Sequence, residues 1–240
     1  MKQEKPKLLI IVEGINDSTA LTPLSTLYHP RHFSIITTYG DITSQKDSVR
    51  SQIKSRLYSH IKQYMDKYGL TRKDIIKVWF ITDTDGTFIP EENLKQQPSC
   101  EHFIYESDKI LCKDRSQALL RNQRKKSNLL ELLKTKKINK IPLELYFMSC
   151  NFDHVICGKA NCSPEEKGEA AEEFQIAYGD ATARPKFEKF FLDRLTDIDV
   201  PLDYTESWDF IQQNINSLQR CSNFYLALKT LDDELTPAKL

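Results

Sequence analysis

Three acidic side chains stand where long apolar runs stop. Glu13 follows "KLLIIV" (7–12), and Asp83 and Asp85 follow "IIKVWFIT" (75–82). Carboxylates at the ends of covered strands repel one another if they converge, and a bound cation between them relieves that repulsion. Hard oxygen donors completed by water and a phosphate describe Mg²⁺ or Mn²⁺. Taken alone, "DTDG" (83–86) also reads as a turn, because Asp and Gly are common turn residues. Its pairing with the glutamate of an earlier strand is what points to chemistry.

Such a site needs a sheet to aim it. Apolar β runs are expected at 7–13, 33–40, 73–83, 102–107 and 141–149. Between the second and third, Val49, Ile53, Leu57, Ile61 and Met65 recur every four residues, predicting a long amphipathic helix over 44–69. Ser44 with Asp47 resembles its cap, and Gly69 its terminator. Strand–helix alternation is the grammar of a parallel sheet with right-handed crossovers, whose ligand sites form beyond the C-terminal strand ends. A helix over 17–27 contains Pro23, so it either starts late, with Thr22 as cap, or is kinked. Further helices are expected at 113–137, 163–177, 184–195, 205–218 and 221–233. The chain therefore divides into an α/β domain over 1–160, with a basic helical insert at about 113–140, and a helical C-terminal subdomain over 161–240.

Composition narrows the function classes. With 40 % hydrophobic and 28 % charged residues, the 240-residue chain can bury a sizeable core. Its seven glycines form neither a G-x-G-x-x-G nor a Walker-type loop. No apolar segment approaches the ~18 residues of a membrane span, and the first apolar run is too short for a signal peptide. The expectation is a soluble cytoplasmic protein with no membrane partner and six reduced cysteines, although an even count leaves disulfides open. Zero net charge argues against coating nucleic acid through bulk electrostatics, but the average hides a split. Residues 115–140 carry nine Lys/Arg against one acid, and residues 163–209 thirteen acids against five bases. The first segment suits a phosphate backbone, or both are solvated helix faces.

The spacing "LLIIVEGINDSTAL" (8–21), "TTYGDI" (37–42) and "VWFITDTDGT" (78–87) resembles the Toprim family, over residues 6–90 and more loosely to about 150. That resemblance implies a Rossmann-like, doubly wound parallel sheet flanked by helices and Mg²⁺-dependent phosphodiester chemistry. It assigns Glu13 as general acid/base or metal ligand, Asp83 and Asp85 as metal ligands, and Asp17 as a further ligand in two-metal nucleases. The stretch "LELYFMSCNFDHVICGK" (143–159) loosely resembles an S-N-x-x-F-E motif of RloB-like small Toprim proteins from restriction and phage-defence clusters, which places Asp153 near the metal with His154 assisting. An extra Cys150 and Asp in place of Glu depart from that motif. The chain is too short for topoisomerase or primase modules and lacks the fused ATPase of OLD-type proteins, leaving a separately encoded ATPase partner open.

Other readings stand beside this one. Cys150, His154, Cys157 and Cys162 are soft or borderline ligands in a compressed zinc-like run, and Asn151 alone suits a helix cap. Arg121, Arg124, Lys125 and Lys126 are candidates for phosphate contacts, and Arg184 and Lys186 for transition-state charge. The leading expectation is a Mg²⁺-dependent endonuclease acting on DNA or RNA, tRNA included, as a toxic antiphage effector controlled by a partner or by homo-oligomerisation. The alternatives are a non-catalytic Toprim-like scaffold binding nucleic acid or an ATPase, and a phosphotransfer enzyme using Asp83 as nucleophile.

Overall fold

A computed structural model describes residues 5–28 and 33–234. The apolar runs become β1 (Lys7–Val12), β2 (Ser34–Tyr39) and β3 (Ile75–Asp83), with α1 (Ile15–Ala20), α2 (Leu24–Leu27) and α3 (Ile53–Lys67) between them. A small three-stranded sheet follows: β4 (Leu94–Gln96), β5 (Ile104–Tyr105) and β6 (Ile110–Cys112), in the order β4-β6-β5. Next come α4 (Arg115–Leu133), β7 (Lys137–Ile138), β8 (Ile141–Ser149) and α5 (Phe152–Cys157). The chain continues through α6 (Pro164–Tyr178), α7 (Arg184–Thr196), α8 (Tyr204–Ile211), β9 (Cys221–Ser222) and α9 (Phe224–Glu234).

The main sheet runs β2-β1-β3-β8-β7, with β9 also on β8. Its first four strands are parallel, and β7 and β9 are antiparallel to β8, making an α/β protein with a mixed, mostly parallel sheet. Central β1 and β3 are covered on both faces, hence their unbroken Leu/Ile/Val/Phe composition. Register sets Val12 beside Tyr39 and Asp83 beside Met148. The residues just beyond these ends, Glu13, Gly40, Asp85 and Asn151, therefore gather at one edge of the sheet.

Local chemistry shortens several expected elements. α3 begins only at Ile53, after a 3₁₀ turn, and Val49 lies 45 % exposed, off the stripe of buried Ile53, Leu57, Ile61 and Met65. Ser44 is no helix cap: its N–H and hydroxyl both donate to Asp41 Oδ1 in a turn. The segment around Pro23 splits into α1 and α2, with Pro23 immediately before Leu24. The helix expected over 205–218 ends at Ile211, and 102–107 supplies only β5.

One hydrophobic core extends from Leu8 to Leu231. Phe191 and Phe224 of the late helices meet edge to face at 5.0 Å, and Phe224 packs on Trp79 and Tyr146 of the sheet. Each such ring contributes about 1.5–3 kcal/mol by burial, so α6–α9 share the core of the strands. No helix among the described residues is long and apolar enough to cross a membrane.

The two sides of the sheet end differently. Along β8, Leu145 donates its N–H to Tyr204 Oη and accepts from Trp208 Nε1, while Phe147 donates to Asn223 Oδ1 and accepts from Ser222 Oγ. On β2, Ser34 and Gly40 donate to Pro6 and Val12. The alternate residues Ile35, Thr37 and Tyr39 thus turn their backbone groups outward from the edge of the sheet.

Candidate carboxylate site

Glu13 is held by three donors. Its Oε1 accepts from Thr82 Oγ1 at 2.5 Å and Thr43 Oγ1 at 3.3 Å, and its Oε2 from Lys125 Nζ at 2.9 Å. Asp85 sits in a strand-to-loop turn with φ +50°, left-handed backbone that Asp tolerates better than most residues. Gly86 follows at φ +61°, where a Cβ would lie 2.6 Å from Leu218 Cδ2. Asp85 N–H donates to Cys150 O, and Thr84 Oγ1 lies 2.7 Å from Ser217 O, pinning this turn to the end of β8 and the segment before β9. The turn residues of "DTDG" are therefore also what aim its carboxylates.

Lys125 reaches into the same place. Its ammonium lies 2.5 Å from Asp85 Oδ2 and bridges it to Glu13, with the side chain 0 % exposed. Arg121, one turn earlier, pairs with Asp85 at 2.9 Å, and Tyr105 of the small sheet donates to Asp85 Oδ1 at 3.2 Å. Asp83 Oδ1 accepts the Phe152 N–H at 2.9 Å, and Asp17 Oδ2 accepts the Gly14 N–H at 2.8 Å. Asp153 pairs with Lys167 of α6 at 2.6 Å.

Burial and charge divide these groups. Burial alone would raise the Asp85 pKa, yet Arg121 and Lys125 outweigh it and hold the carboxyl well below the usual range. Burial likewise opposes the charge on Lys125, but Asp85 and Glu13 keep it firmly protonated. Glu13 is raised by burial against the pull of Lys125. Asp83 is raised well above the ordinary carboxyl by burial and then by Asp17, Glu13 and Asp85. Asp17 is pushed up to about 7 by burial, with Asp153 and Glu13 adding to the Gly14-bonded carboxylate's load.

Fully ionised, Glu13, Asp17, Asp83, Asp85 and Asp153 face the cations Lys125, Arg121 and Lys167, leaving two negative charges over. Hard carboxylate oxygens in that state fit a divalent cation by chemistry and by charge, with Asp17 and Asp83 the two that take no side-chain cation as partner. Among the described residues, no group of three or more His, Cys, Asp or Glu is drawn together as a ready metal cluster.

The structure thus brings together Glu13, Asp17, Asp83, Asp85 and Asp153, and adds Thr43, Thr82, Tyr105 and Lys167, which sequence reasoning did not single out. Lys125 is corrected from a surface phosphate contact to a buried partner of Glu13 and Asp85. A signal for this existed: Ala118, Asn122, Lys125, Leu129 and Leu132 recur at helical spacing and are the buried face of α4. Arg124 donates to Ser44 O at 3.1 Å, beside the loop after β2, and Lys126 points to solvent. Arg184 lies away from the cluster, 4.3 Å over the Tyr28 ring and paired with Glu188, and Lys186 is exposed on the same helix.

The cysteine-rich stretch scatters its ligands. Cys150 is buried, and its N–H donates to His154 Nδ1. Cys157 and Cys162 face each other with sulfurs 3.6 Å apart. Burial, with Arg220 nearby, lowers the His154 pKa to about 4, so the ring is neutral near pH 7. Compared with protein-family models, curated proteins and solved structures, the chain matches none.

Proposed function

We propose that this protein is a Toprim-like, Mg²⁺-dependent phosphodiesterase that cleaves nucleic acid, serving as a toxic effector in antiphage defence. The observation that carries the reading is the surplus of buried carboxylate at the C-terminal edge of a parallel sheet, where Glu13, Asp17 and Asp83 are all driven toward protonation. When bound there, Mg²⁺ or Mn²⁺ supplies Lewis-acid polarisation of the phosphodiester and a water of lowered pKa. Asp83 and Asp17, which take no side-chain cation as partner, would hold it. Asp85, kept ionised by Arg121 and Lys125, anchors those two cations beneath the cluster. Glu13, its pKa raised by burial against the pull of Lys125, is the group suited to take or return a proton. Host toxicity calls for control, and a separately encoded ATPase or self-association would provide it.

The test uses purified protein with Mg²⁺ and single- and double-stranded DNA and RNA, tRNA included. Glu13→Gln and Asp83→Asn are expected to lower cleavage by about 100-fold or more without lowering the melting temperature. Full metal-dependent cleavage by both variants would sink the assignment. A non-catalytic scaffold is the second reading, and one observation favours it: Lys125 already neutralises part of the cluster. It gains if wild type binds nucleic acid but takes up no divalent metal by calorimetry.

A further inference from the structure

The open edge of β2 borders two cavities that share His60 and Gln63. The opening beside the tyrosines, about 270 Å³, is lined by Tyr39, His60, Gln63, Tyr64, Lys67 and Tyr68. The second, about 280 Å³, reaches Gly40 and Asp41 at the strand end. Gly40 donates its N–H to Val12 O, just before Glu13, so this opening lies at the same end of the sheet as the carboxylates. Each opening is near the lower end of small-ligand pockets, about 300–1,000 Å³.

Two kinds of chemistry meet in it. Tyr39 and Tyr68 are 49 % and 55 % exposed, the Tyr64 and Tyr68 rings lie 4.6 Å apart, and the Lys67 ammonium sits 5.2 Å from the Tyr68 centroid. Exposed π faces with a cation nearby form a stacking platform for bases. Beside them, the backbone groups of Thr37 and Tyr39 turn outward from the edge strand, and His60, whose buried Nε2 takes no hydrogen-bond partner, lines both openings. Burial lowers the His60 pKa, so the ring offers a polar edge without charge. Gly40 makes room for that ring, since a Cβ there would lie 2.6 Å from His60 Cε1.

We propose that this groove binds an unpaired nucleobase flanking the bond held over the carboxylates, so that the substrate is single-stranded or looped nucleic acid. The proposal rests on the phosphodiesterase reading. Tyrosine faces stack the base, and Gln63 and the outward β2 backbone meet its edge. A base in a duplex has its faces stacked and its pairing edge occupied, so it cannot use either.

The test is fluorescence anisotropy of the full chain with a labelled short oligothymidylate and with its duplex, in EDTA to prevent cleavage. Wild type is expected to bind the single strand more tightly, and Tyr39→Ala and Tyr68→Ala each to weaken it roughly tenfold. Tyr39→Phe should restore binding, with melting temperatures unchanged throughout. In cleavage assays the same alanine variants should raise KM more than they lower kcat. Equal affinity for duplex and single strand overturns the proposal, as does indifference to both alanine variants. So does a wild-type dimer in sedimentation that Thr37→Pro dissociates, which would assign the edge to a second copy of the chain. Tyrosine-dependent binding without any cleavage removes the nuclease reading and keeps the groove, whereas cleavage indifferent to the tyrosines does the reverse.

Discussion

The two halves of the carboxylate cluster are neutralised in opposite ways. Around Asp85, the protein supplies its own cations, Lys125 and Arg121, and the carboxyl is locked in its charged form. Around Asp17 and Asp83 it supplies one backbone N–H each, and both carboxyls are raised. The same residue type at the same sheet edge is therefore a permanent anion in one half and a group awaiting a proton or a cation in the other. Fixed ion pairs belong to the scaffold, and groups left short of counter-charge are those free to act on something that arrives.

Removing Lys125 should break the contrast most severely. Lys125→Met leaves Glu13 and Asp85 buried without their shared cation and is expected to cost about 3–5 kcal/mol, read as a lower denaturation midpoint. The pH dependence probes the other half. Asp17 is raised from 3.8 to about 7, so the folded state holds a proton that the unfolded chain has lost over that window. Its contribution to stability is present below about pH 4 and declines as pH rises toward 7, by about 4 kcal/mol at 1.36 kcal/mol per unit. Melting in EDTA should show that slope, and Mg²⁺ should flatten it; an identical slope with and without Mg²⁺ would contradict a cation in this half. Asp83→Asn should stabilise the metal-free protein by on the order of 1 kcal/mol, the reverse of Lys125→Met, while abolishing cleavage. Lys167→Ala should matter least: its side chain is 40 % exposed, so loss of the Asp153 pair should cost about 1 kcal/mol or less.

Much of this arrangement is legible in the sequence where periodicity is strong. The strands ending in Glu13 and Asp83 are read correctly because both their faces are apolar, and α6 and α7 fall within a residue of the expected 163–177 and 184–195. Weak local signals fail: two- and three-residue strands such as β6 and β9 hold no pattern, and the loop before α3 owes its shape to hydrogen bonds made by Asp41 and Ser48. At the site, charge signs were readable but partners were not. Lys125 belongs to a basic run in sequence, and only the phase of its helix turns it inward. Tyr105 lies on a strand of two residues whose position is set by tertiary packing.

The side-chain caps on β8 also bear on how the chain is made. The groups that close Leu145 and Phe147 come from Tyr204, Trp208, Ser222 and Asn223, far downstream. During synthesis, β8 leaves the ribosome well before these residues do and presents an uncovered, strongly apolar strand until they arrive. An exposed edge of that kind recruits other strands. Nascent or truncated chains that stop before residue 204 should thus be the aggregation-prone species, and about the last sixth of the protein acts, during its own birth, as a built-in chaperone for the middle.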